Sequence, residues 1–133
     1  MEVTTTIVVK EEHIDQLGHV NNSIYVSYLE NGRGDWYENA GMSFEQMVTR
    51  SLGTVVLRLD ILYKQEARLG DILTIKTYPV KLGTKSFVLK QDIFNQENQL
   101  ITEANVTSVM WDAKTRTSIE VVEEFRRHFS KTR

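Results

Sequence analysis

The chain has 133 residues, 41% of them hydrophobic and 26% charged, with 16 Lys and Arg against 18 Asp and Glu for a net charge of −2. That balance is ordinary for a globular domain with its own core, and the scattered basic residues exclude the concentrated positive face that nucleic-acid binding needs. The absence of cysteine removes disulfides, thiolate metal sites and cysteine nucleophiles. With no bilayer-length apolar run and no leader, a single cytoplasmic domain over residues 1–133 without a membrane partner is expected.

In chain order, Val3 to Val9 alternate as a strand, with Val3, Thr5, Ile7 and Val9 on one face. A loop over Lys10–Asn21 follows. From Asn22 to Ala40, the residues Tyr25, Tyr28, Leu29, Gly32 and Trp36 fall on one helical stripe, and Gly41 suits the C-cap. Gly32 inside that stripe costs about 1 kcal/mol of helix propensity, which makes sense if another element packs very closely there. Glu30, Arg33 and Glu38 lie off the stripe, and Glu30 with Arg33 has the spacing of an ion pair. Ser43-Phe44-Glu45-Gln46 has the spacing of a capping box, so a short helix to about Arg50 is expected.

The period then changes to two. Strands are expected at Val55–Tyr63, Ile72–Leu82, Ser86–Phe94 and Leu100–Asp112, with Pro79 marking an edge or a bulge. Turns fall at Ala67–Asp71, Leu82–Thr84, Asn95–Asn98 and Asp112–Thr115. Val122, Phe125 and Phe129 return to helical spacing. A long helix after the first strand, followed by four long strands, is an α+β pattern in which a curved antiparallel sheet of about five strands wraps one helix. Such a sheet leaves an edge open, so a homodimer or homotetramer is expected.

The chemistry concentrates in His13-Ile14-Asp15-Gln16-Leu17-Gly18-His19-Val20-Asn21-Asn22, immediately before the long helix. Asn21 or Asn22 can cap that helix, and the orphan N–H groups of its first turn favour developing negative charge. Asp15 can act as a carboxylate nucleophile or base, or can simply cap the turn at Gly18. His19 can orient Asp15 or a substrate, or be a hydrogen-bonded loop histidine. His13, Asp15 and His19 match no familiar metal-site spacing, so no metal and no cofactor is expected. Ser23 and Ser27 lack a nucleophile-elbow context.

Asp15-Gln16-Leu17-Gly18-His19-Val20-Asn21-Asn22, followed by Tyr25 and Tyr28-Leu29-Glu30, resembles the signature of hotdog-fold acyl-CoA thioesterases of the 4-hydroxybenzoyl-CoA thioesterase-like family. Tyr63 with Ala67–Asp71 resembles that family's second characteristic stretch, and the resemblance runs in order over nearly the whole chain. It implies a hotdog fold, an acyl-CoA substrate and catalysis by Asp15. It also implies a backbone N–H near Asn22 polarising the thioester carbonyl, active sites at a dimer interface, and an acyl chain between the central helices. Tyr25 and Tyr28 are core residues that can also line the acyl tunnel. The plant acyl-carrier-protein thioesterases share the His-Val-Asn-Asn run but use Asp-x-Asn-x-His, and Leu17 stands where that asparagine would be. His13 replaces an acidic residue common among relatives.

The implied chemistry asks little of the protein. The leaving thiol of a thioester has a pKa of about 8.5, judged from cysteine, so no strong acid is needed to expel it. A helix N-terminus can stabilise the oxyanion, and a carboxylate can attack the carbonyl or activate water. A hotdog hydratase or dehydratase, and a non-catalytic acyl-CoA binding module, are the competing readings. Lys64, Lys81, Lys85, Lys90, Arg116 and Arg126 are candidates for the CoA phosphates by charge alone.

Overall fold

The computed structural model describes residues 1–129. Six strands, β1 (Val3–Val8), β2 (Leu52–Tyr63), β3 (Ile72–Leu82), β4 (Ser86–Phe94), β5 (Leu100–Asp112) and the two-residue β6 (Thr117–Ser118), form one antiparallel sheet. Its order is β1-β3-β4-β5-β2, with β6 pairing β5 off that path. Across it lies α1 (Asn22–Ala40), joined by the short helices α2 (Phe44–Thr49) and α3 (Glu123–Arg126). This is the hotdog architecture, with the expected five strands supplemented by β6. None of the described helices is long and apolar enough to cross a membrane.

The elements follow local chemistry. Asn21 caps α1, and Gly41 ends it at φ +121°. The capping box of α2 is complete, because Gln46 N–H donates to Ser43 Oγ and Ser43 N–H donates to Gln46 Oε1. Pro79 sits at a register shift between β3 and β4, beyond the last β1 partner at Thr77, so it marks a bulge. β2 begins three residues earlier than its alternation suggests, at Leu52, and carries a second bulge between Val56 and Arg58.

The stripe Tyr25, Tyr28, Leu29, Gly32 and Trp36 is buried throughout. A Cβ on Gly32 would lie 2.8 Å from Gln91 Nε2, 3.0 Å from Ile75 Cγ2 and 3.0 Å from Thr77 Oγ1. The glycine therefore lets α1 sink onto β3 and β4, the close approach that the sequence foreshadowed. Arg33 departs from expectation. It is buried, its Nη1 donates to Gln91 Oε1 at 3.1 Å, and no Glu30 oxygen lies within ion-pair range. Glu30 stays exposed. The i, i+3 pair is lost because the tightly seated helix turns Arg33 toward the sheet.

Two apolar clusters flank this polar layer. One, around Tyr25, Tyr28 and Leu29, packs against β3 and the loop before α1; the other, around Trp36, Tyr37 and Phe125, packs under α2 and α3. The helix lies mainly against β1, β3 and β4. The far edge strand β2 is left with Val55, Val56, Leu57, Leu62 and Tyr63 exposed.

Candidate active site

The Lys10–Asn21 loop opens with a 3-10 turn at Glu11–His13 and then folds back as a small hairpin. Ile14 bridges Val20, Asp15 N–H donates to the His19 carbonyl at 3.0 Å, and Asn21 N–H donates to the His13 carbonyl at 3.1 Å. The reversal needs Gly18, whose φ of +88° disfavours side chains, and its N–H donates to the Asp15 carbonyl at 3.1 Å. The hairpin is anchored on the turn between β2 and β3. Val20 N–H donates to the Ala67 carbonyl at 2.9 Å, and Ala67 N–H donates to Tyr25 Oη at 3.0 Å.

The two oxygens of Asp15 differ. Oδ1 accepts the Leu17 N–H at 2.9 Å, while Oδ2 lies 3.9 Å from His19 Nδ1. The carboxylate is therefore half structural and half available, and its side chain remains 22% exposed. His19 Nδ1 also lies 3.1 Å from the Val20 carbonyl. A carbonyl only accepts, so this nitrogen carries a proton. At 3.9 Å the pair is too long for a hydrogen bond, and His19 acts on Asp15 only through space.

At the start of α1 the cap is Asn21 rather than Asn22. Its Oδ1 accepts the Ser23 N–H at 2.9 Å and the Ser23 hydroxyl at 2.7 Å, and its carbonyl accepts the Ile24 N–H at 2.9 Å. Asn22 N–H takes part in none of these bonds. Among the described residues it is an orphan donor of the first turn, on an exposed residue.

Tyr25 and Tyr28 meet edge to face at 6.1 Å, and Tyr63 closes on Tyr25 at 5.4 Å while its hydroxyl donates to the Asn22 carbonyl at 3.3 Å. Burial pushes the Tyr28 hydroxyl up to about 12, reinforced by Tyr25. Tyr25 is also raised, by burial first, against the lowering effect of the Ala67 N–H. Both hydroxyls stay protonated at neutral pH. Beside them a groove of about 470 Å³ runs between β1 and α1, lined by Ile7, Lys10, His13, Ile24, Ser27 and Tyr28 among others.

His13 is the residue whose place sequence reasoning missed. Its signal was present only as a departure from the family pattern. The described residues contain no cluster of three His, Cys, Asp or Glu side chains able to hold a metal ion. Among the basic candidates, Lys64 and Lys90 face Glu103, Lys90 also pairs with Asp92 at 2.6 Å, and Arg126 is held by Glu120 and Glu123. Lys81, Lys85 and Arg116 have no carboxylate within ion-pair range among the described residues.

Comparison with known proteins shows the family and the fold. A family model described as the thioesterase-like superfamily matches residues 8–129. The long-chain acyl-CoA thioesterase FadM of Escherichia coli (strain K12) is 37% identical over 123 residues, 92% of each chain. The acyl-CoA thioester hydrolase YbgC of Escherichia coli O6:H1 is 32% identical over 101 residues, 76% of this chain and 75% of that one. The solved structure of SAV2348 from Staphylococcus aureus, in complex with CoA, superposes with a TM-score of 0.88 at 21% identity, covering 96% of this chain and 81% of that chain. At that identity the likeness speaks for the fold.

Proposed function

The chain belongs to the thioesterase-like superfamily, and on that premise we propose that it hydrolyses an acyl-CoA thioester to the free acid and CoA, with Asp15 as nucleophile or general base and the α1 N-terminus as oxyanion hole. The observation that carries this reading is the hairpin ahead of α1. It presents a carboxylate with one oxygen, Oδ2, free of hydrogen bonds among the described residues, seven positions before a helix start whose Asn22 N–H likewise has no partner among the described residues. The names of FadM and YbgC support acyl-CoA as the substrate class.

The mechanism follows from those atoms. Asn22 N–H, strengthened by the helix dipole, binds the carbonyl oxygen and stabilises the charge that develops there. As a nucleophile, Asp15 Oδ2 attacks the carbonyl carbon, the C–S bond breaks, CoA leaves as a thiolate, and water cleaves the mixed anhydride. As a base, Oδ2 takes a proton from the water that attacks instead. In either route His19 sits beside Oδ2, 3.9 Å away, and lines the site without a hydrogen bond to it. Gly18 and Asn21 shape the turn and cap, while Tyr25 and Tyr28 line and brace the site.

The bare β2 edge supports a homo-oligomer. An edge strand of twelve residues with five exposed large apolar side chains is an aggregation liability unless a second copy covers it. Tyr63, at the end of β2, already bonds the Asn22 carbonyl at 3.3 Å, so a copy seated on that edge would lie near the start of α1. No observation favours the hydratase reading over hydrolysis.

The test is free-thiol release from aromatic, short, medium and long acyl-CoAs by wild type and Asp15→Asn. Wild-type turnover with a drop of about 10²–10⁴ in the variant is the expected result for loss of an acid–base or nucleophilic group. Wild-type protein that releases no thiol from any of these substrates would end the thioesterase reading. Label in Asp15 after single turnover in ¹⁸O-water identifies an anhydride opened at the aspartyl carbon, and a trapped acyl-Asp15 adduct identifies the anhydride route when water attacks the acyl carbon.

A further inference from the structure

The mechanism above leaves one imidazole of the loop without a task, yet it is the one built into the wall of the groove. His13 Nδ1 receives two donors: the Lys10 backbone N–H at 3.2 Å and the Tyr28 hydroxyl at 2.9 Å. The first can only donate, so Nδ1 carries no proton, and Tyr28 must donate to it as well. The remaining proton of the neutral ring is therefore on Nε2. The ring cannot swivel to exchange its nitrogens without stranding both donors, and Tyr28 holds it edge to face at 5.3 Å. Tyr28 is itself locked, being 2% exposed and packed against Tyr25. Among the described residues Nε2 makes no hydrogen bond, and His13 lines the groove between β1 and α1.

A donor of fixed tautomer and fixed orientation on the wall of a mixed groove, two residues from Asp15, suits an uncharged acceptor in the ligand, whereas the ammonium of Lys10 on the same wall suits an anionic group. We propose that His13 is a substrate-binding residue whose Nε2–H donates to a carbonyl oxygen of the bound acyl-CoA, with Lys10 N–H and Tyr28 setting its tautomer. This rests on the acyl-CoA reading above. Two carbonyl sources share this chemistry, the thioester itself and the amides of the pantetheine arm.

Calorimetry on the intact chain distinguishes them with two stable ligands: S-hexyl-CoA, which has no carbonyl at the acyl end, and a CoA alkyl ketone, which does. The variants are His13→Phe, which abolishes the donor, and His13→Gln, whose carbonyl can accept from Lys10 and whose amide can donate in place of Nε2–H. A single hydrogen bond predicts that His13→Phe binds about three- to tenfold more weakly, with His13→Gln recovering most of the loss. Weakening confined to the ketone identifies the thioester carbonyl; equal weakening of both ligands identifies a pantetheine amide. Unchanged binding of both overturns the proposal.

If His13→Phe does not fold, imidazole ¹⁵N spectra of the wild type decide the matter. The Nε2–H tautomer with a ligand-dependent shift is expected; an Nδ1–H tautomer, or no shift with either ligand bound, overturns it. Thiol release is read separately. Wild-type protein that binds without turnover removes the thioesterase reading and leaves His13 standing, whereas wild-type protein that binds neither ligand removes both.

Discussion

The two halves of α1 use the same residue types for opposite purposes. In the first half Tyr25 and Tyr28 are buried, but their hydroxyls serve polar neighbours: Tyr25 holds the Ala67 N–H and Tyr28 the His13 ring. In the second half Trp36 and Tyr37 pack ring against ring, with Tyr37 stacked on Phe125 at 4.9 Å and Trp36 tilted against it at 5.7 Å. Between them lies the layer of Gly32, Arg33, Gln91 and Thr77, where Gln91 Nε2 donates to the Leu29 carbonyl and to Thr77 Oγ1, each at 2.9 Å. One end of the helix braces the loop that carries the candidate site, the other supplies adhesion, and the polar layer fixes how deep the helix sits between them. Burial alone therefore does not tell a structural aromatic from a site-building one. The partner of the hydroxyl does.

Variants can break or sharpen that contrast. The largest effect is expected at the site end, where Asp15→Asn lowers kcat/KM by about 10³ and leaves the melting temperature nearly unchanged, since an amide can still accept the Leu17 N–H. A large loss of stability in that variant would make Asp15 mainly a turn residue. At the opposite end Phe125→Ala removes a fully buried ring and should cost about 4 kcal/mol in denaturant unfolding, with kcat per folded molecule retained. If activity falls as steeply as stability, the two halves are not separable.

Alkaline titration probes the first half alone. The Tyr28 hydroxyl sits near 12 in the fold against 10 when unfolded, so its neutral form is favoured by folding. Its contribution is complete below pH 10 and disappears as pH rises from 10 to 12, with a ceiling of about 3 kcal/mol that solvent screening reduces. Tyr28→Phe should flatten the stability curve over that window, and an unchanged curve would assign the alkaline loss to Tyr25 and Tyr37, which burial also raises.

Gly32→Ala tests the layer between the halves. The new Cβ would crowd Gln91, Ile75 and Thr77, and overpacking of about 2 kcal/mol outweighs the roughly 1 kcal/mol gained in helix propensity. A net loss of about 1 kcal/mol in chemical denaturation is expected, with some loss of activity as α1 lifts. A stabilised variant would show the helix to be loosely seated. The smallest effect belongs to Ser43→Ala, which removes the α2 cap and should cost about 1 kcal/mol without touching turnover.

Much of this molecule was legible in its residues because it is written in local rules. The bounds of α1, the capping box at Ser43, the bulge at Pro79 and four of the long strands follow from side-chain period, caps and breakers, which act over a few residues. The closeness implied by Gly32 was also readable, since a glycine on a buried helical stripe has few other uses. The candidate site, Asp15 through Asn22, is read from the resemblance of those residues to a family signature.

What the sequence could not supply is which partner each polar group takes. Arg33 reads as the mate of Glu30 because they lie one helical turn apart, but the depth of the helix gives it Gln91, 58 positions away. His13 and Tyr28 are fifteen residues apart and share no periodic pattern, yet they fix each other's proton. The split of Asp15 into one structural and one free oxygen depends on how the hairpin closes at Gly18. Local periodicity sets where a chain bends and which face it buries. The pairing of hydrogen-bond donors and acceptors is decided only when distant segments are brought within about 3 Å, and that is a property of the fold.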